Sequence, residues 1–359
     1  MFSGKPKTSL KDFFDRQIEL KEFASSVDRG YTVVKGIRRI GKSSLIKVGL
    51  RLSEHPHIYL DLRGTTVRGK LSSQAVLSEL IQSASEVVST GERVRRSIKD
   101  AIREIDIAGV LTLKLRQERT RSILLDLFTR LNRVAKTHSE KIVIAFDEAQ
   151  VLRLTSIDMR ELLANVYDNM ENLTLVFAGS EVGVLDEFIG VNNPSSPFYG
   201  RYMDKVSLKP LTRELSLEFL RRGFAELSIK LDDSLLEKSV DELDGVIGWL
   251  TYFGLRTSQK GKFTVEAIEE VLEAATRLER AEIESLPSSQ RLVLAAISKL
   301  STPSWSDIKH MAEALAQRKI NDGELNRTLR ALQRYSLIEK RGETYAIIDP
   351  ITKRAASQQ

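Results

Sequence analysis

The sequence contains no cysteine, which excludes disulfide bonds and thiolate chemistry. It also contains no uninterrupted run of about 18 apolar residues, so it predicts no membrane-spanning helix. The first residues, MFSGKPKTSLKDFFDR, lack the apolar stretch of a secretory signal. Together these absences predict a cytoplasmic protein.

Histidine is also scarce, with 4 residues in 359, and none of the four has metal-ligand spacing to another. The charge is mildly unbalanced, with a net charge of +6 and a sequence pI of about 9.3. This basic excess permits an anionic partner without requiring one. Hydrophobic residues make up 42% of the chain, which is enough for buried cores, and its length favours two or three domains.

Strand-like and helical patterns alternate in the first part of the chain. Apolar strand patterns occur in YTVVKG, HIYLDLRG, KIVIAFDEAQ, LTLVFAGS and DKVSLKPL. Helical patterns lie between them, at about 42–54, 72–138 and 158–170. This alternation predicts an α/β fold for residues 1–211, with a parallel sheet covered by helices on both faces.

The rest of the chain predicts two further units. Residues 212–276 show only helical patterns, broken near 244–248, and predict a separate helical subdomain. Residues 277–359 show three helical patterns followed by IEKR, GET and YAIID, which predict a β-hairpin around a glycine turn. Three helices and a hairpin are typical of a winged helix-turn-helix domain.

The segment GIRRIGKS fits the pattern G-x-x-x-x-G-K-[ST] and lies between a predicted strand and a predicted helix. Gly36 and Gly41 allow backbone turns that point N–H groups inward, where the helix N-terminus adds partial positive charge. Lys42 would supply a full charge to the β- and γ-phosphates, and Ser43 an oxygen ligand for Mg²⁺. A plain strand-to-helix turn is the alternative. The pattern predicts a P-loop that binds ATP or ADP with Mg²⁺ through Gly36, Ile37, Arg38, Arg39, Ile40, Gly41, Lys42, Ser43 and Ser44.

Further chemistry is predicted at the ends of the later strands. Asp147 and Glu148 follow an apolar strand, where Asp147 would hold hydrated Mg²⁺ and Glu148 would orient and deprotonate the attacking water. Ser180, at the end of the next strand, would sense the γ-phosphate. Arg201, just before the fifth strand, would reach a γ-phosphate in its own subunit or a neighbouring one. The alternatives are a solvated strand end, an ordinary turn serine and an ordinary basic loop residue.

Six segments occur in an order that resembles the archaeal ATPase family, in the STAND branch of the AAA+-like P-loop ATPases. They are FFDRQIEL, GIRRIGKSSL, IAFDEAQ, AGSEVGVL, FYGR and GWLTYFG, and the resemblance spans about residues 11–350. It implies ATP as the nucleotide, a helical lid at 212–276 and a C-terminal winged helix. It also implies that Phe14, Asp15 and Arg16 contact the adenine. Ile247 stands where the family usually has a proline, which bears on the contact between the lid and the adenine.

The predicted winged helix offers a basic surface. Its recognition helix would run from about Asn321 to Tyr335, with three arginines on one face and two further basic residues at the wing. These candidates for contacts to double-stranded DNA are Arg327, Arg330, Arg334, Lys340 and Arg341. Three leucines, Leu325, Leu329 and Leu332, would face the core of the domain. The alternative is a solvated basic face on a domain that packs against the ATPase or a protein partner.

Two functional hypotheses follow. In the first, the protein is an ATP-hydrolysing switch whose winged helix, or a partner, responds to the nucleotide state. In the second, it is a winged-helix DNA-binding regulator in which ATP or ADP is a structural ligand with negligible turnover. A small-molecule kinase is a weaker third interpretation. The partner stays open between double-stranded DNA, another protein and further copies of the same chain.

Overall fold

The computed structural model of the chain describes residues 1–67, 70–87, 91–103, 105, 117–229, 232–261 and 264–358. Part of the helical pattern predicted for 72–138 lies outside these residues. The described strands are β1 (Thr32–Lys35), β2 (His57–Asp61), β3 (Thr66–Val67), β4 (Lys70–Leu71), β5 (Ile142–Asp147), β6 (Leu173–Gly179), β7 (Asp204–Ser207), β8 (Ile338–Arg341) and β9 (Thr344–Ile347).

Helices account for most of the remaining described chain. They are α1 (Gln17–Arg29), α2 (Lys42–Leu52), α3 (Ser73–Ser85), α4 (Glu92–Arg103), α5 (Gln117–Thr137), α6 (Met159–Asn169), α7 (Val182–Ile189), α8 (Arg213–Glu226), α9 (Asp233–Leu243), α10 (Ile247–Lys260), α11 (Val265–Glu284), α12 (Ser288–Ser298), α13 (Trp305–Ala316), α14 (Asp322–Arg334) and α15 (Pro350–Ser357). Short 3₁₀ turns lie at Leu10–Asp12 and Ala149–Leu154. None of the described helices combines the length and apolarity needed to cross a membrane.

A five-stranded parallel sheet forms the centre of the N-terminal part, in the order β2-β5-β6-β1-β7. Strand β5 is buried at every position, as expected for a parallel strand covered on both faces. Its side chains alternate between two cores: Ile142, Ile144 and Phe146 face α3–α6, whereas Val143 and Ala145 face α1 and α2. The predicted α/β fold with helices on both faces is confirmed.

The C-terminal part contains two further cores. Helices α8–α11 share one apolar cluster, and α12–α14 share another with the antiparallel β8–β9 hairpin. Leu325, Leu329 and Leu332 are buried in the latter, so the predicted winged helix and its leucine face are confirmed. Residue 276, the predicted end of the helical subdomain, lies within α11, and the division of the chain into three domains stays a prediction. Helix α15, which the sequence analysis did not predict, packs back against α11.

Candidate nucleotide site

The P-loop joins β1 to α2 at the carboxyl edge of the sheet, and its glycines are required by the backbone. Gly36 has a φ of 154°, and a Cβ there would lie 2.9 Å from the carbonyl oxygen of Leu208. Gly41 has a φ of 101° and precedes α2 without any side-chain cap. The N–H groups of the first turn of α2 therefore have no capping side chain, an arrangement suited to an anion.

Lys42 is directed back into this loop. Its Nζ donates to the carbonyl oxygens of Gly36 and Ile37, each over 2.8 Å, and only 6% of the residue is exposed. Burial lowers the pKa of the Lys42 ammonium to about 8, while the carboxylates of Glu148 and Asp147 oppose that shift. A phosphate bound in the loop would add further stabilisation to the charged form.

The structure brings Ser43 and Asp147 together, as the sequence predicted for a magnesium site. Ser43 Oγ donates to Asp147 Oδ2 over 2.5 Å, and Asp147 is almost fully buried. A second hydroxyl, that of Tyr59, donates to the same oxygen over 2.5 Å. Burial and the nearby Asp147 raise the pKa of Tyr59, so it remains a neutral donor. The sequence analysis missed Tyr59, because only the order of the strands places β2 beside β5.

Glu148 is held by the end of the next strand. Its Oε2 accepts hydrogen bonds from the backbone N–H and Oγ of Ser180, over 3.2 and 2.8 Å, and from Nε2 of Gln150, over 2.6 Å. The sequence analysis missed Gln150. Its side chain packs against Gly179, where a Cβ would lie 2.4 Å from Gln150 Oε1, so the glycine was a signal for this contact. The predicted base and the predicted sensor are therefore neighbours in the structure.

A cavity of about 700 Å³ extends from these groups toward the helical region. Phe14 lines it and packs edge-to-face on Phe219, with ring centroids 5.3 Å apart. Arg16 also lines it, but its guanidinium donates to Glu19 and to the carbonyl of Lys209. Asp15 is not among the lining residues. A role for these three residues in binding the base stays a prediction.

The N-terminal segment also borders the cavity, which the sequence analysis did not predict. The backbone N–H of Lys7 donates to Ser44 Oγ over 3.0 Å. The ring of Phe2 lies against Gly223 in α8 and Gly254 in α10, where a Cβ would come within 2.3 Å of it. The sequence did contain a signal for this contact, because both glycines lie inside predicted helices, where a glycine often marks a close packing contact.

The middle of the P-loop contacts the helical region. Arg39 Nη1 donates to Glu279 Oε1 over 2.6 Å, and its guanidinium lies 4.2 Å from the centroid of the Trp249 ring. The backbone N–H of Gly248 donates to the Arg39 carbonyl over 2.8 Å. Arg38 is ion-paired with Glu282 on the same helix as Glu279. Both arginines of GIRRIGKS thus hold the P-loop to α10 and α11.

These contacts continue into the helix that follows the wing. Trp249 Nε1 donates to Asp349, whose carboxylate also accepts from the first N–H groups of α15. Thr352 in α15 donates to Glu279 Oε2 over 2.9 Å, which closes a ring back to Arg39. Burial raises the pKa of Glu279 to about 7 and also raises that of Asp349. We call Arg39, Trp249, Asp349, Thr352 and Glu279 the lid network.

Arg201 lies elsewhere. Its guanidinium donates to both carboxylate oxygens of Asp168, and the Arg201 backbone precedes the amino end of β7. Because β1 and β7 are parallel, that end lies at the edge of the sheet opposite the P-loop. The expectation that Arg201 reaches the γ-phosphate of its own subunit therefore does not fit the structure. A role toward a neighbouring subunit stays a prediction.

The predicted DNA-contacting residues are all exposed, but two of them are engaged. Arg334 is ion-paired with Glu187 on α7, and Arg341 with Glu339. At this contact the two helices lie close, since a Cβ on Gly183 would be 2.7 Å from Arg334 Cα. Within the described chain, three of the predicted DNA-contacting residues have no ion-pair partner: Arg327, Arg330 and Lys340, of which Lys340 lies 5.8 Å from the centroid of the Tyr345 ring.

This fold and site define a P-loop ATPase with a C-terminal winged helix. Residues 13–253 match the family model of an ATPase domain predominantly from Archaea, and the chain belongs to that family. Residues 291–348 match the C-terminal winged helix-turn-helix domain of MCM proteins. No curated protein matches the chain.

Two solved structures are similar over nearly the whole length. A Walker-type ATPase of Pyrococcus abyssi is 31% identical, with 98% of each chain covered and a TM-score of 0.83. The ORC2 protein of Aeropyrum pernix, solved in ADPNP and ADP complexes, is 12% identical, with 99% of this chain and 95% of that chain covered and a TM-score of 0.64. The second similarity concerns the fold alone.

Proposed function

We propose that the chain is an ATP-hydrolysing molecular switch that couples its nucleotide state to the winged helix. The lid network carries this proposal. Arg39, within the P-loop, contacts Glu279 directly, and Glu279 accepts a hydrogen bond from Thr352 in the helix after the wing. A change at the phosphates therefore has a short physical route to the C-terminal part of the chain.

The hydrolytic half of the proposal rests on the phosphate end of the cavity. Lys42 and the N–H groups of the P-loop bind the β- and γ-phosphates. Ser43 and Asp147 hold Mg²⁺, and their hydroxyl and carboxylate oxygens fit this hard cation, which also takes water and substrate phosphates as ligands. Bound Mg²⁺ would neutralise charge on the phosphates. In the described parts of the chain no group of three acidic or histidine side chains forms a site by itself, so the nucleotide would complete the coordination.

Glu148 is the proposed general base. Among the residues that the structure describes, the hydrogen bonds to its carboxylate all go to Oε2, from Ser180 and Gln150. Within the described chain Oε1 accepts no hydrogen bond, so this oxygen can take the proton of the attacking water. Ser180 connects Glu148 to the end of β6, which supports its proposed role in sensing the γ-phosphate. Phe14, Asp15 and Arg16 remain the proposed base-binding segment.

Hydrogen exchange would test the coupling. With ATP, with ADP and without nucleotide, amides in α15 should differ in protection, because nucleotide changes the contacts of Arg39. Thr352→Val keeps the shape of the buried side chain but removes the hydrogen bond to Glu279, so this difference should shrink. Ser357→Ala is the matched control, since Ser357 lies on the same helix and its hydroxyl donates to the Arg354 carbonyl rather than to the lid network. Equal protection of α15 in all nucleotide states of the parent would contradict the switch.

Double-stranded DNA is the partner that we propose for the winged helix. Exposed Arg327, Arg330 and Lys340 support this, and reversing their charges should weaken DNA binding for all sequences. The dependence of affinity on salt should also become flatter, which fluorescence anisotropy with labelled duplexes would measure.

The control reverses three exposed lysines outside the winged helix, Lys11, Lys21 and Lys205. If both triple variants lose affinity equally, net charge rather than this surface explains the binding. If the parent binds DNA but hydrolyses no ATP with or without it, the regulator with a structural nucleotide is the better description.

A further inference from the structure

One arginine of the cavity, Arg63, belongs neither to the P-loop nor to the helical region. Its Nε and its backbone N–H donate to Asp61 Oδ1, over 2.7 and 3.0 Å, and its Nη2 binds Asp61 Oδ2. Such a two-pronged contact fixes the plane of the guanidinium. The side chain lines the cavity and is 50% exposed. Arg63 is therefore a pre-oriented cation at the cavity wall.

The register of the sheet determines which end of the cavity Arg63 faces. Strands β2 and β5 are neighbours, and Asp61 pairs with Asp147. The Nη2 atom of Arg63 lies 4.0 Å from Asp147 Oδ2, the oxygen that also accepts from Ser43. Arg63 consequently stands beside the proposed magnesium ligands, at the phosphate end of the cavity.

The other arginines of the cavity are committed elsewhere. Arg38 and Arg39 are paired with acids of α11, and Arg16 with Glu19. For Nη1 of Arg63, by contrast, the described residues provide no hydrogen-bond acceptor. An arginine with a fixed plane and an unused donor suits a phosphate oxygen, because guanidinium and phosphate geometries match.

We propose that Arg63 contacts the γ-phosphate of ATP bound to the same chain and stabilises the charge that develops there during hydrolysis. This inference rests on the proposed ATPase function. The water oxygen bonds to the γ-phosphorus as the bond to the bridging oxygen breaks, and the water proton passes to Glu148. ADP and phosphate leave, while Arg63 keeps its protons throughout. Asp61 acts as a positioning residue.

Kinetics and nucleotide affinity of Arg63→Gln would test this role. The variant should lose roughly 10²–10³-fold in kcat, as expected when one preorganised donor is removed from a transition state. The preference for ATP over ADP should fall about tenfold, since only ATP presents the γ-phosphate. ADP affinity and the melting temperature should stay near those of the parent. Arg63→Lys should recover part of the rate, and Asp61→Asn should lose less than Arg63→Gln.

The chain offers a matched control in Arg160, which binds Asp158 through the same backbone and side-chain atoms but does not line the cavity. Arg160→Gln should leave kcat and both affinities unchanged. Parental kcat together with a parental ATP-to-ADP ratio in Arg63→Gln would overturn the proposal, as would an equal loss of ATP affinity, ADP affinity and melting temperature. A parent that hydrolyses no ATP would remove the ATPase function, and the affinity ratio would still decide whether Arg63 contacts the γ-phosphate.

Discussion

The two sides of the P-loop meet carboxylates in different ways. At its carboxyl end, Lys42 and Ser43 face Asp147 and Glu148, which end or follow β5. In its middle, Arg38 and Arg39 face the acids of α11. The first side uses the fixed positions of G-x-x-x-x-G-K-[ST], whereas the second uses positions that the motif leaves free. The fixed positions of the motif thus supply the groups proposed for catalysis, and the variable positions supply the contacts with the helical region of this chain.

Burial separates the two arginines of the second side. Arg38 and Glu282 are 51% and 37% exposed, so their ion pair is worth about 0–1 kcal/mol. Glu279 is only 6% exposed and would lie uncompensated without Arg39, and removing one partner of such a pair is costly. We therefore assign the coupling to Arg39 rather than to Arg38.

The largest effect is expected from a substitution that changes the phosphate side of the P-loop alone. Glu148→Gln keeps the shape and a hydrogen-bonding tip but loses the base, so turnover should fall by roughly 10²–10⁴-fold. ATP should bind about as well as before, because Lys42, Ser43 and Asp147 are unchanged. Phosphate release and equilibrium nucleotide binding, measured together, would separate these effects.

The same variant should still show the nucleotide-dependent hydrogen exchange of α15, since the lid network is intact. Gln150→Leu provides a comparison that leaves Glu148 in place but removes the hydrogen bond that Gln150 donates to it. Hydrolysis at the parental rate by Glu148→Gln would show that another group is the base. The assignment of catalysis to one side of the P-loop and of coupling to the other would then be wrong.

Much of the fold and of the phosphate side could be predicted from the sequence because their signals are local. Continuous apolar strands, the glycine spacing around Lys42 and the two acids after β5 each lie within a few residues. The winged helix was equally readable from three helical patterns and a hairpin.

The lid side could not be predicted, because it depends on how distant elements pack. Arg39 and Glu279 are 240 residues apart in the sequence, and Trp249 and Asp349 are 100 apart. Tyr59 and Arg63 could be assigned to the site only once the strand order was known, because that order places β2 beside β5. Arg201 illustrates the same limit: it precedes a parallel strand and so lies at the amino edge of the sheet, away from the ligand-binding edge of its own subunit, while a role toward a neighbouring subunit stays a prediction.

A smaller effect is expected on the lid side alone, where the protonation of Glu279 makes the stability of the fold depend on pH. Burial raises its pKa from an ordinary value of 4.5 to about 7, against the opposing charge of Arg39 and with contributions from Glu282 and Asp349. Between these two pH values the folded chain keeps a proton that the unfolded chain has lost. The free energy of unfolding should therefore fall as pH rises from about 4.5 to 7, by up to about 3 kcal/mol.

Urea denaturation at pH 5 and pH 8 would measure this fall. Glu279→Gln cannot titrate, so it should lose less stability between the two pH values than the parent does. Asp349, whose pKa is also raised, titrates in both proteins, so the difference between them reports Glu279 together with its interaction with Asp349. Glu273→Gln, an exposed change on the same helix, should follow the parent. If Glu279→Gln and the parent lose stability equally, burial does not raise the pKa of Glu279 in the folded chain, and this account of the lid network is wrong.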